Sequence, residues 1–192
     1  MIASLAEKIT SKLVEYGSVE KDEYEEYVYA VTMIMTIIVT DVTTMAIGLL
    51  MGMFWECVGF CFIYKFLRKY CGGFHFSTSL RCYLSTCVMC PVALLMIKYC
   101  SDNLWLLSSI LLLSAIVLLI LSPVEAVNKP LDEKEQKVFG IVARILVLLS
   151  AVCYTIFAIL RFFNAVKVMA ISIAFVALFA IIGNVHLKTL TK

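Results

Sequence analysis

Charged side chains are scarce in this sequence: Asp, Glu, Lys and Arg make up 16% of its 192 residues, whereas hydrophobic residues make up 62%. A soluble domain has about a quarter charged and about half apolar residues, so this composition excludes a soluble globular protein. Proline is also rare, with three residues, and no low-complexity linker occurs. We therefore expect a single all-α, polytopic integral membrane domain over residues 1–192, without a separate soluble domain.

The chain also lacks a cysteine pattern typical of a disulfide framework or a metal site. Eight cysteines are present, but six lie in or beside apolar segments, where Cys acts as a small hydrophobic residue. These six are Cys57, Cys61, Cys87, Cys90, Cys100 and Cys153. Cys87 and Cys90 form a CxxC pair, but no second ligand pair and no histidine follows it. We therefore expect no metal or redox site at this pair.

Long uncharged runs take the place of the missing polar residues. A helix needs about 20 apolar residues to cross the hydrocarbon core. Tyr27–Tyr64 is long enough for two helices with a turn around Gly48 to Gly52, and four further runs suit one helix each. These four are Cys82–Ile97, Leu104–Ser122, Val138–Leu160 and Val168–Leu187. We predict about six transmembrane helices, with four or five as alternatives because the first and third are weak.

The N-terminal region, residues 1–26, has no apolar run of that length and shows helical periodicity instead. Apolar residues recur on one face, with charged residues opposite; they are Ile2, Leu5, Ala6, Ile9 and Leu13. This pattern predicts an amphipathic helix at the membrane interface. Packing of the same helix on the rest of the protein explains the pattern equally well.

Lys and Arg are unevenly divided between the two sides of the predicted bundle. With six spans, most of them lie in the terminal regions and in the loops 65–81 and 123–137, whereas the opposite side holds Lys98, Arg161 and Lys167. Positive residues mark cytoplasmic loops. We therefore predict that both termini and these two loops face the cytoplasm.

Two carboxylates, Asp41 and Glu56, interrupt the first two predicted spans. Ionised side chains within a membrane are costly and often functional. We expect Glu56 either to pair with Arg144, which is the favoured interpretation, or to line a polar pocket. The three charges keep open a small transporter or channel subunit, and a non-catalytic scaffold is a further alternative.

Basic, hydroxyl-bearing and potentially reactive side chains are concentrated in one stretch, RKYCGGFHFSTSLRC. It contains His75 and Cys82, and a cysteine nucleophile needs a base of this kind to form its thiolate. On one straight helix these residues would lie about 10.5 Å apart along the axis, so the chain must break for them to meet. The pair Gly72 and Gly73 permits such a break.

A helix start after the glycines would place Cys82. The segment STS, residues 77–79, is a helix-start signal. If Ser79 caps the helix, Cys82 falls in the first turn, where the positive helix end favours a thiolate and where the Cys82 backbone N–H is a candidate oxyanion donor. His75 would fold back over it. The spacing alone also fits a coincidence, and His186 is interpreted as a packing or interfacial residue.

The stretch resembles the signature of the accessory gene regulator B (AgrB) family, the membrane peptidases of Gram-positive peptide quorum sensing. The matching residues are Arg68, Gly73, His75 and Cys82. The similarity covers essentially the whole chain, including its length, its spans, its amphipathic start and the loop SPVEAVNKPL. In that loop Pro123 and the pair Lys129-Pro130 match the family pattern, whereas Asn128 stands where some members have another basic residue.

The resemblance implies a membrane cysteine endopeptidase at the cytoplasmic face of the bacterial cell membrane, acting on a propeptide of the AgrD type. Cys82 would attack the peptide bond before the C-terminal tail, with His75 as base and then as acid. The propeptide's own Cys or Ser would close a thiolactone or lactone ring. We expect no cofactor, no metal and no nucleic acid; the lipid bilayer is a further partner, and a homodimer is left open.

Other residues of the two loops receive supporting roles. Residues expected to bind an acidic tail or to brace the loop are Arg68, Lys69, Gly72, Gly73 and Lys129. Candidates for orienting His75 are Glu56, Ser79 and Glu125.

Overall fold

The computed structural model describes residues 2–74, 78–125 and 132–190, and within these ranges the chain forms α-helices and no β-strand. The helices are α1 (Ile2–Glu15), α2 (Tyr24–Leu50), α3 (Phe54–Cys71), α4 (Ser79–Tyr99), α5 (Leu104–Leu121), α6 (Glu133–Ile159) and α7 (Phe163–Leu190), with a 3-10 turn at Lys21–Glu23 before α2. The predicted all-α class is confirmed.

The long helices α2 to α7 match the six predicted spans in order. Five of them, α2, α4, α5, α6 and α7, are long and apolar enough to cross a membrane. The exception is α3, which has 18 residues and carries four charged side chains, Glu56, Lys65, Arg68 and Lys69. The chain is therefore a multi-pass membrane protein, and a sixth crossing by α3 stays a prediction.

α7 is the central helix of the bundle. It packs against α3, α4, α5 and α6, and it is the most buried of the apolar helices. Aromatic rings join it to α3: Phe60 meets Phe175 edge to face at a centroid distance of 5.7 Å, and Tyr64 meets Phe179 at 6.2 Å. These contacts bury one face of the charged helix α3 against α7.

Two cations on these helices are paired with carboxylates. Lys65 of α3 forms an ion pair with Asp41 of α2. Lys167 near the start of α7 is buried, and its Nζ lies 2.6 Å from Asp102 Oδ1 in the turn between α4 and α5. Pairing with an opposite charge lowers the free-energy cost of a charged side chain within a membrane.

The turn between α2 and α3 lies slightly later than predicted. α2 continues through Gly48 to Leu50, and Gly52 makes the turn with a φ of 66°. Gly48 has a different role, because a Cβ there would lie 2.6 Å from the Cβ of Cys57. Gly48 therefore lets α2 approach α3 closely.

The amphipathic N-terminal helix is confirmed as α1, and it packs on α2. Ala6 and Thr10 are buried against the protein, whereas Leu5 and Ile9 remain 47% and 38% exposed. The packing interpretation therefore holds for one face of α1. The opposite face presents apolar side chains outward, and its contact with the membrane stays a prediction.

Candidate active site

The segment that follows α3 is held between two other parts of the chain. The Val124 amide donates to the Cys71 carbonyl at 2.9 Å, and Val124 and Gly72 form an isolated parallel bridge. On the other side, the Phe74 amide donates to the Phe179 carbonyl of α7 at 3.0 Å. The backbone that leads to His75 is thus fixed by the loop after α5 and by α7.

The predicted glycine break is confirmed, and close packing explains both residues. Gly72 ends α3 with a φ of 73°, and a Cβ on it would collide with the Val124 carbonyl. Gly73 has a φ of 132° and lies against the Phe179 backbone. Gly183 of α7 completes this contact, because a Cβ there would lie 2.6 Å from the Phe74 amide nitrogen. Sequence reasoning missed Gly183, since an isolated glycine in an apolar helix gave no local signal.

Arg68 is part of the same contact. Its Nη1 donates to the Tyr64 hydroxyl at 2.8 Å, and its Nη2 donates to the Phe74 carbonyl. The guanidinium also lies over the Phe179 ring, 4.7 Å from its centroid. Of the two roles expected for Arg68, these contacts support bracing of the loop. Lys69 is exposed, and its Nζ lies over the Tyr70 ring at 5.4 Å.

Cys82 lies in the first full turn of α4, half-buried. The N-cap is Thr78 instead of Ser79, because the Thr78 hydroxyl accepts a hydrogen bond from the Arg81 amide at 3.4 Å. Cys82 is therefore the fourth helical residue, and its own amide donates to the Thr78 carbonyl at 3.1 Å. The suggested oxyanion role of the Cys82 N–H is wrong, since this N–H makes the first intrahelical bond.

Tyr64 belongs to the contact that braces the loop. Its ring is buried on α3, and its hydroxyl accepts the hydrogen bond from Arg68. Cys82 follows this contact in the chain, in the first turn of α4.

Several predicted site residues fall elsewhere or outside the described ranges. His75 and Lys129 lie outside the described residues, as does the side chain of Ser79. Glu125 follows Val124 directly, and its Oε1 accepts a hydrogen bond from Gln136 at 3.3 Å. Glu125 therefore lies at the same end of the bundle as Gly72.

Glu56 lies at the opposite end of the bundle. It lines a cavity of about 240 Å³ together with Lys98, which is sixteen residues beyond Cys82 and hence about 24 Å along α4. The favoured pairing of Glu56 with Arg144 is wrong, because Asn164 donates to Glu56 at 3.3 Å and Arg144 is exposed on α6. The alternative, a polar pocket, is confirmed. At this distance the structure does not bring Glu56 to Cys82.

His186, interpreted as a packing or interfacial residue, is exposed in the structure and has an aromatic neighbour. Its ring meets the Phe74 ring edge to face, with centroids 5.1 Å apart. Phe74 was not predicted as this neighbour. The contact is a further one between α7 and the segment before His75.

One family model, described as Accessory gene regulator B, matches residues 6–183. Neither the curated proteins nor the solved structures contain a significant match to the chain. The family match covers α1 to most of α7, and so includes both loops of the candidate site.

Proposed function

Because the chain belongs to the accessory gene regulator B family, we propose that it is a membrane cysteine endopeptidase that processes an AgrD-type propeptide. The activity lies in one peptidase domain, residues 1–192, at the cytoplasmic face of the bacterial cell membrane. The observation that carries the proposal is the position of Cys82, half-buried in the first turn of α4 beside a loop held by Arg68.

Cys82 is the nucleophile and His75 its base. The positive end of α4 favours the thiolate over the thiol, and His75 accepts the proton that Cys82 loses. The thiolate attacks the carbonyl before the propeptide's tail. His75 then returns the proton to the leaving amine, and the tail departs as a free peptide while the remainder stays on Cys82 as a thioester.

Ring closure consumes that thioester. The propeptide's internal Cys or Ser attacks the acyl carbon, the new thioester or ester bond forms, and Cys82 leaves as thiol. Forming a thioester from an amide is uphill, so loss of the tail must draw the reaction forward. Partial burial of Cys82 limits access of water, which would otherwise hydrolyse the intermediate.

The first turn of α4 has backbone N–H groups that could stabilise the negative charge of the oxyanion. Because the first amides of a helix have no carbonyl partner within it, the backbone N–H groups of Ser79 and Leu80 are our candidates for stabilising the oxyanion. Lys69 and Lys129 are assigned to the acidic tail, and Glu125 is the candidate carboxylate for orienting His75, since it follows the Val124 contact with the loop.

The transporter alternative has no comparable support. Its three charges are not brought together: Asp41 pairs with Lys65, Glu56 accepts a bond from Asn164, and Arg144 is exposed on α6.

The decisive experiment compares cysteine variants in cells that express the propeptide. We expect Cys82→Ala and His75→Ala to abolish release of the tail, measured by mass spectrometry. Cys87→Ala, one turn further along α4, and Cys153→Ala on α6 are the matched controls and should keep activity. Immunoblots of membrane fractions must show equal amounts of each variant. Undiminished cleavage by Cys82→Ala would refute the proposal.

A further inference from the structure

Three cysteines that are far apart in the sequence meet inside the bundle. Cys57 and Cys61 lie one turn apart on α3, and Cys90 lies on α4. Their Sγ atoms are all within 4.8 Å of one another, and those of Cys57 and Cys90 are 3.6 Å apart. All three are buried. Three thiols that converge from two helices form a set of sulfur donors for one ion.

The spacing suits a metal ion with three sulfur ligands. With a metal–sulfur bond of about 2.3 Å, three thiolates in a plane around one ion lie about 4.0 Å apart. The sulfur atoms need to shift by less than about 1 Å to reach this arrangement, which a small change of side-chain torsion allows. The backbones of α3 and α4 are already in place.

The surroundings select the kind of ion. In the part of the chain that the structure describes, no imidazole or carboxylate joins the cluster, so the ligands are sulfur alone. Sulfur ligands select soft metals such as Cu(I) and Zn²⁺. Structural Zn²⁺ sites are almost always four-coordinate, whereas Cu(I) is satisfied by three sulfurs, so the ligand number favours Cu(I).

Binding changes the protonation of the three ligands. The thiolate and not the thiol ligates a metal, so each cysteine gives up its proton when Cu(I) binds, and three protons are released per ion. Zn²⁺ would bind with the same proton loss but would still lack its fourth ligand.

We propose that Cys57, Cys61 and Cys90 form a buried binding site for one Cu(I) ion. The site is separate from the candidate active site, because Cys90 lies eight residues beyond Cys82, about 12 Å along α4. A bound ion ties α3 to α4, and Gly48 brings α2 against the same cysteines, where Cys57 Sγ donates to the Thr44 carbonyl at 3.2 Å.

The test is a Cu(I) titration of the reduced, purified protein in detergent, against a competing chelator and without oxygen. We expect about one tightly held ion per chain, and only sulfur neighbours near 2.3 Å in X-ray absorption spectra. Cys57→Ser, Cys61→Ser and Cys90→Ser should each lower this occupancy to near zero. Cys87→Ser, one turn before Cys90 and half-buried, is the matched control and should bind as the parent protein does.

The parent protein alone keeps the proposal falsifiable if a variant fails to fold. Failure of the reduced parent to retain Cu(I), or oxygen or nitrogen atoms dominating the first shell, would overturn the site. Equal binding by Cys87→Ser and the three ligand variants would also overturn it. Tail release in the Cys57→Ser variant is a separate measurement, so the outcome does not depend on the proposed peptidase activity.

Discussion

The Arg68 guanidinium is one of the groups that hold the chain before His75. Arg68 donates to the Tyr64 hydroxyl and to the Phe74 carbonyl, and it lies over the Phe179 ring. These three contacts use the planar fork and the flat face of Arg, which Lys does not have. The sequence offered tail binding and bracing as equal roles, because a charge before a glycine pair fits either. One of these neighbours, Phe179, comes from α7, more than a hundred residues away in the sequence.

We expect Arg68→Lys to reduce propeptide cleavage about 100-fold, nearly as much as Arg68→Gln, because misplacement of a reacting group by about 1 Å has an effect of that size. Initial rates of tail release in membrane vesicles measure it. A propeptide with a neutral tail separates the two roles. A bracing Arg68 loses the same factor with either substrate, whereas near-normal activity of Arg68→Lys would indicate binding of the tail through charge.

A covalent intermediate on Cys82 makes cleavage and ring closure separable. Replacement of the propeptide's ring-forming Cys or Ser by Ala removes only the second nucleophile, so tail release should stop after about one turnover. Intact-protein mass spectrometry should show the peptide bonded to Cys82, and hydroxylamine should remove it. Continued release at the full rate, with linear acid as the product and no adduct, would instead indicate plain hydrolysis.

At the scale of helices, apolar run length predicted which elements exist but not where they end or how they rotate. α6 begins at Glu133 and α7 at Phe163, each five residues before the apolar run that predicted it. Charged residues end an apolar run because the hydrocarbon core excludes them, but they do not end a helix. Each helix therefore continues from the core into the interface. The rotation that brings Cys90 of α4 to Cys57 and Cys61 of α3 could not be predicted, because the membrane-spanning part of α4 is apolar on all faces and carries no periodic signal for it.

We expect Gly183→Ala to lower propeptide cleavage at least tenfold with only a small loss of stability. The new Cβ would lie 2.6 Å from the Phe74 nitrogen and 2.7 Å from the Gly73 carbonyl carbon, so the loop must move away from α7. Alanine is the better helix former by about 1 kcal/mol, which offsets part of the lost packing. Cleavage rate and thermal unfolding in detergent are the two measurements.

Gly59→Ala is the control, since a Cβ there meets one side-chain atom, Val168 Cγ1 at 3.2 Å, and, among the described residues, no backbone atom of another element within 4 Å. It should retain both activity and stability. Equal activity of the two variants would mean that the contact between the loop and α7 does not position the site.

At the scale of the whole molecule, the contacts around the segment that follows α3 bring several helix ends to one end of the bundle. Gly72 meets Val124, and Phe74 meets His186, so the ends of α3, α5 and α7 lie together with the start of α4. The turns at 51–53, 100–103 and 160–162 belong to the opposite end. The sequence predicted this division because Lys and Arg are concentrated in the loops of the first end, and their excess predicts that this end faces the cytoplasm.

Cysteine accessibility in intact cells tests that orientation. Native Cys71 is unsuitable as a probe because it is fully buried, so single cysteines belong at the exposed positions Lys134 and Ser101 in a background without the native cysteines. An impermeant maleimide should label Ser101→Cys in intact cells and Lys134→Cys only after permeabilisation, which also shows that both sites are reactive. A propeptide made in the cytoplasm can reach Cys82 directly only with this orientation. The reverse labelling pattern would place Cys82 outside the cell and would require export of the propeptide before cleavage.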